Sequence, residues 1–282
     1  MPVVIVGDGA VGKGLAVALT LSGESVFLAG PDGTRHRSVT LGADGFLQGL
    51  VTVETGVVTE ARPGSVMICA LKAYSIAGAL AGMRAASPRC IISVSNGLDL
   101  WGAGGEPQPE PAVLTAGFLL SGSVVHTSPG AIYVGNDSEA RRLFQKSAIP
   151  VVPVCDMKAV VNAKWLVNSI INPLGALTGL PNDRLLSAGL KPLLDTLFDE
   201  LSRVVPEDSH DQAREMLAGL LQNSGNFCSM LQDLRAGNPT ELQWLTGIAE
   251  KRLPGGCPTA RVLCALVRAK AEASLRSSTL LR

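Results

Sequence analysis

The chain has 282 residues, of which 46% are hydrophobic, and its 24 basic and 24 acidic side chains leave no formal net charge. That length allows a large core and suggests two domains, while the neutral balance without a long basic run argues against nucleic acid as a main partner. No apolar run reaches the roughly 18 residues of a membrane span, and the start MPVVIVGDGAVGKG has no basic stretch before its apolar run, so it reads as a first strand and not as a signal peptide.

Pro2 to Val6 is a short apolar run, followed by Gly7-Asp8-Gly9-Ala10-Val11-Gly12 and a helical run from Lys13 to Leu21. Strand, glycine turn and helix in that order give a G-x-G-x-x-G match the context it needs. Gly7 lets the chain turn, Gly9 lets the backbone approach a pyrophosphate, and Gly12 lets helix and strand pack closely. The amides at the helix start then face the phosphates. Gly7 to Lys13 also nearly spells the phosphate loop of nucleoside triphosphatases, but Gly14 stands where that motif needs a magnesium-binding hydroxyl.

Ser25 to Ala29 reads as a second strand. The loop after it lies where an adenosine ribose is expected. There Asp32 suits a free 2′-hydroxyl and NAD, whereas Arg35 or Arg37 suits a 2′-phosphate and NADP; both readings stay open. Val66 to Leu71 is a buried-type strand ending at Lys72, Ala73 to Met83 a helix, and Cys90 to Ser95 a strand ending at Asn96-Gly97. Lys72 and Asn96 thus occupy carboxyl ends of successive strands, where doubly wound sheets bind ligands. Gly102 to Pro111 reads as a loop. Val113–Gly122, Ser123–Thr127 and Ala131–Gly135 read as short strands added antiparallel to the sheet. Asp137 to Lys146 is helical with Asp137 as its cap, and Pro150 to Val154 is a last strand. From Met157 the pattern is almost wholly helical.

The fold class expected is α/β: a doubly wound sheet domain over residues 1–155, then an all-helical substrate and catalytic domain over 156–282. The six cysteines form no C-x-x-C pair and mostly sit in apolar runs, as buried thiols of a reducing cytoplasm would. The three histidines lie in no ligand-type spacing, so no metal site is expected.

Val160 to Leu177 carries apolar residues at nearly every helical angle, which describes a buried helix. Yet Lys164, Asn168 and Asn172 stand four apart, and steps of four drift only about 40° around the axis, so they form one narrow polar stripe. Buried Lys and Asn need partners or water, so the stripe is expected to face a cleft. Pro173 is expected to kink or interrupt the helix just after Asn172. Further on, Ser229 and Asp233 lie four apart in CSMLQD. Glu241 follows Pro239-Thr240 and is expected to open another helix, where the dipole favours a carboxylate.

Taken together, GDGAVG, LKAY around Lys72, SNGL around Asn96, SGSVVHTSPGAIYVG, KWLVNSIINPLGALTGLPNDRLL and SMLQDLRAGNPTEL resemble the ketopantoate reductase (2-dehydropantoate 2-reductase) family over most of the chain. The resemblance implies an N-terminal Rossmann domain, a helical C-terminal domain with catalysis in the cleft between them, and NADPH-dependent reduction of 2-dehydropantoate to pantoate on the way to pantothenate and coenzyme A. It implies Lys164 as general acid. Asn168 and Asn172 would orient substrate, Ser229 contact its carboxylate and Glu241 hold its hydroxyl end. Lys72 and Asn96 would lie near cofactor and reacting carbon. The partner is then a small 2-oxo acid in the cytoplasm, with a homodimer left open. Hydride addition builds charge on the ketone oxygen, and a nearby ammonium stabilises it and delivers a proton. A Lys screened from water should have a lowered pKa.

Three departures bear on substrate and cofactor. Many members carry Arg at the end of the second strand, where this chain has Ala29-Gly30-Pro31-Asp32, so NADH is not excluded. Asn-Gly after the Glu is here Thr246-Gly247, and a Gly-Thr pattern is here Gly117-Phe118. The alternatives are a relative reducing another 2-oxo acid or an imine, and a non-catalytic NADP(H)-binding sensor.

Overall fold

A computed structural model describes residues 2–30, 37–102 and 108–280. It is α/β, with a sheet-based N-terminal unit and a helical C-terminal one. The first unit comprises Met1–Ser95 and Leu100–Met157; the second comprises Asn96–Asp99 and Lys158–Arg282.

In the first unit, β1 (Val3–Val6), α1 (Ala10–Leu21), β2 (Val26–Ala29), β3 (Arg37–Gly45), β4 (Gly49–Gly56), β5 (Val66–Cys69), α2 (Ala73–Ala85) and β6 (Cys90–Ser93) follow in order. They are followed by β7 (Glu110–Pro111), β8 (Val113–Leu114), β9 (Gly117–Ser121), β10 (Ser123–Ser128), β11 (Ile132–Gly135), α3 (Glu139–Phe144) and β12 (Val151–Val154). The main sheet has the order β7-β6-β5-β1-β2-β4-β3-β10-β9. Strand β1 pairs in parallel with β2 on one side and β5 on the other, so the chain reverses direction across the sheet there. That switch point is where open parallel sheets leave a crevice for ligand.

Strand β1 is buried on both faces, as a central parallel strand must be. Val3 and Ile5 pack with Leu15, Leu19 and Ile92, while Val4 and Val6 pack with Met67, Ile76 and Met83 on the opposite side. The second unit contains α4 (Met157–Thr178), α5 (Lys191–Ser202), α6 (His210–Asn223), α7 (Ser229–Arg235), α8 (Gly247–Arg252) and α9 (Pro258–Leu280). Its core gathers Trp165, Leu166, Ile170 and Leu174 of α4 with Leu197, Phe198, Met230, Leu231 and Val267.

Several expectations need correcting. The antiparallel pair β3–β4 was not anticipated. Its strands hold four glycines, which blunt the alternation that marks a strand. Of the short strands expected to add antiparallel to the main sheet, β10 instead joins β3 in parallel and only β9 pairs antiparallel, with β10, while β8 and β11 form a separate three-stranded sheet with β12. The cap of α3 is Ser138, whose hydroxyl accepts from the Arg141 amide at 3.1 Å, and not Asp137. Helix α4 runs through Pro173 to Thr178 without interruption.

Candidate functional site

Helix α1 begins directly after the glycine turn, with Gly9 as its N-cap in extended conformation. Gly7 has φ +116°, and a Cβ there would lie 2.8 Å from the Ala70 carbonyl oxygen beyond β5. A Cβ on Gly12 would lie 1.7 Å from the Gly7 carbonyl oxygen, so strand and helix close on each other only without side chains. Gly9 differs, since a Cβ there would meet nothing within 4 Å. Open space beside the free amides of Ala10, Val11 and Gly12 is what a pyrophosphate requires. The residues present therefore fit a dinucleotide. Asp8 lies over the end of β2, with Oδ2 2.9 Å from where a Gly30 Cβ would stand. Asp32 and Arg35 lie outside the described residues. Gly14 is buried beneath the Phe118 ring, which a Cβ would approach to 2.5 Å. Phe118 in turn stacks on His126 with ring centroids 4.8 Å apart. Position 14 is thus packed, with no room for a metal-binding hydroxyl, and Phe118 is a core residue of the first unit. Lys72 is the half-buried N-cap residue of α2.

The second unit gathers the polar stripe. Asn168 donates from Nδ2 to Oδ1 of Asn96 at 3.2 Å, and Ser229 Oγ donates to Oδ1 of Asn172 at 3.3 Å. Cys228 Sγ donates to the Asn172 carbonyl at 3.4 Å and caps α7, placing Ser229 at that helix's first position. Asn172 is only 4% exposed, and Asn96, Lys164, Asn168 and Ser229 are half-buried. Desolvation pushes the Lys164 ammonium down from the ordinary lysine range to about 8. A cation on the edge of releasing its proton is a competent donor near neutral pH.

Segment Asn96–Asp99 is tied to the helices by more than Asn168. The Leu98 amide donates to the Trp244 carbonyl at 3.3 Å, and Arg252 grips both carboxylate oxygens of Asp99 at 2.7 and 2.8 Å. Glu241 is 3% exposed and precedes a 3₁₀ turn over Leu242–Trp244. It does not open an α-helix, because α8 begins only at Gly247. The carboxylate is held in the core of the unit, not at an exposed first turn.

Sequence reasoning missed the roles of two residues that organise this unit. Trp165 Nε1 donates to the Trp244 carbonyl at 3.2 Å, and Thr246 Oγ1 donates to the Ser169 carbonyl at 2.7 Å. The second bond explains why Pro173 does not end α4. Proline lacks the amide that would reach Ser169, and the Thr246 hydroxyl takes its place. Pro173 itself was the available signal, because a helix continuing past it must find a donor elsewhere. Thr246 therefore serves the backbone of α4, where it was expected to bear on substrate fit.

The profile described as "Ketopantoate reductase PanE/ApbA" matches residues 3–139, and that described as "Ketopantoate reductase PanE/ApbA C terminal" matches 156–271. A 2-dehydropantoate 2-reductase of Pyrococcus abyssi is 28% identical over 278 residues, covering 88% of this chain and 89% of its own. The crystal structure of a PanE/ApbA family ketopantoate reductase from Ralstonia eutropha JMP134 superposes with a TM-score of 0.78 at 24% identity, over 97% of this chain and 99% of that one. D-mandelate dehydrogenase in a ternary structure with NADH and anilino(oxo)acetate has a TM-score of 0.77 at 17% identity, over 97% and 99% of the two chains. Identities this low carry the fold.

Proposed function

The chain belongs to the ketopantoate reductase family, and from that premise we propose that it reduces 2-dehydropantoate to pantoate with NADPH, in the route to pantothenate and coenzyme A. The observation that carries the reading is Lys164, with its pKa pushed down to about 8, on the same helix face as Asn168 and Asn172.

Gly7, Gly9 and Gly12 with the amides of Ala10 to Gly12 hold the dinucleotide, assisted by Asp8, by Lys72 and by Asp32 or Arg35 in the ribose loop. A reduced nicotinamide supplies hydride to the ketone carbon when bound. Lys164 donates from Nζ to the ketone oxygen as charge develops there, leaving a neutral amine that regains its proton from water. Asn96 and Asn168, already joined, orient the ketone end. Asn172 and Ser229, joined likewise, take the carboxylate, and Glu241 accepts from the substrate hydroxyl.

The test follows nicotinamide absorbance with 2-dehydropantoate, using NADPH and NADH side by side. Fast NADPH oxidation is expected. Turnover with NADH alone would assign the ribose to Asp32, and no turnover with either would overturn the reading. The likeness to D-mandelate dehydrogenase favours one second reading, reduction of another 2-oxo acid, which a panel of such acids tests in the same assay.

A further inference from the structure

We propose that Thr246 and Trp165 are positioning residues that hold the Glu241 turn and the Asn96 segment in register with Lys164; the proposal rests on the catalytic reading above. Pro173 leaves the Ser169 carbonyl without its helical donor, and both Ser169 and Thr246 are fully buried, away from bulk solvent. The Thr246 hydroxyl supplies it at 2.7 Å. One turn earlier, the Trp165 indole donates to the Trp244 carbonyl, which also accepts from the Leu98 amide. One carbonyl therefore joins α4, the segment that begins at Asn96 and the turn that begins at Glu241.

Trp165 and Ser169 are four residues apart and share a face of α4. Each directly follows a member of the polar stripe, Lys164 or Asn168, about 100° around the axis. The amides of Trp244 and Leu245 donate to the Glu241 carbonyl at 3.0 and 3.2 Å, so fixing Trp244 and Thr246 fixes the residue that starts the turn. Glu241 and Lys164 are 77 residues apart in sequence, and these two bonds set their register. The proline is then part of the device. It opens a carbonyl that Thr246, the N-cap residue of α8 just past the Glu241 turn, reaches with its hydroxyl, which fixes where the turn sits on the helix.

The test compares Thr246→Val, which keeps the shape and loses the hydroxyl, with Thr246→Ser, which keeps the hydroxyl. Thr246→Val is expected to raise KM for 2-dehydropantoate roughly tenfold, with Kd for NADPH unchanged, because a buried acceptor is left unpaired at the substrate end alone. Thr246→Ser is expected to stay within about twofold of the parent. Adding Pro173→Ala to Thr246→Val returns an amide to Ser169 and is expected to restore much of the loss. Amide exchange across residues 241–248 is expected to quicken in Thr246→Val and not in Thr246→Ser. Unchanged KM in Thr246→Val, or equal impairment in Thr246→Ser, would overturn the proposal. If the parent protein reduces no 2-oxo acid, the catalytic reading fails, while the exchange measurement still decides whether the clamp exists.

Discussion

At the scale of single residues, Lys164 is where chemistry and stability oppose each other. Its pKa of about 8 keeps the ammonium mostly charged at neutral pH, so kcat is expected to fall as pH rises through that value. Lys164→Met is expected to lower kcat by roughly 10²- to 10⁴-fold, the usual contribution of a positioned proton donor, with NADPH affinity retained. Unchanged turnover would remove Lys164 from the proton-donor role. The same burial carries a stability consequence with a definite sign. Between about 8 and the ordinary lysine value of 10.5, the unfolded chain binds the proton and the folded chain does not, so this group's contribution improves as pH rises through that window. Below it the folded state bears the full desolvation. Lys164→Met is therefore expected to raise Tm at pH 7, with the gain shrinking toward pH 10.5, and scanning calorimetry at the two pH values measures it. For Glu241→Gln, a rise in KM for substrate with little change for NADPH is expected; the reverse pattern would move Glu241 out of the substrate site.

At the scale of elements, α1 and α4 show how much local pattern reveals. Strand, glycine turn and helix over Val3–Leu21 are legible because the signals are adjacent in the chain: an apolar run, three glycines and a helical run. Gly9 and Gly12 then separate binding from folding. Gly9→Ala is expected to keep a parent-like Tm and weaken NADPH at least tenfold, because its Cβ enters open space that the pyrophosphate needs. Gly12→Ala is expected to destabilise the protein by several kcal/mol, since its Cβ meets the Gly7 carbonyl. The polar stripe of α4 was legible for the same local reason. What Pro173 does was not, because its remedy is the hydroxyl of Thr246, distant in sequence. The buried setting of Glu241 and the β3–β4 pair were hidden likewise, by a tertiary environment in one case and glycine-diluted alternation in the other. The end of α4 shows a further distant donor: Lys270 of α9 gives its ammonium to the carbonyls of Ala176 and Leu177 at 2.7 and 3.1 Å. A cation on those last carbonyls opposes fraying, so Lys270→Met is expected to cost about 1–2 kcal/mol in denaturant unfolding with m unchanged.

At the scale of the molecule, each unit holds its own apolar core, one on the two faces of the main sheet and one around α4. The groups assigned to the dinucleotide belong to the first unit, and the Lys164 stripe, with Asn96, belongs to the second. Ligand binding stabilises the cooperative unit that must fold to hold it, by about 2.7 kcal/mol at a hundredfold excess over Kd. NADPH is therefore expected to slow amide exchange in β1, β2 and β5 while leaving the core of α4 nearly unchanged, as separate cooperative units require. Two of the three tryptophans, Trp165 and Trp244, lie in the second unit and Trp101 in the first. In a Trp101→Phe background, tryptophan fluorescence thus reports the helical unit alone. Its denaturant midpoint is expected to stay put when NADPH is added, while exchange protection of β1 rises. A fluorescence midpoint that moved as far as the sheet's protection would mean that both units unfold as one, and that cofactor binding already stabilises the helix carrying Lys164.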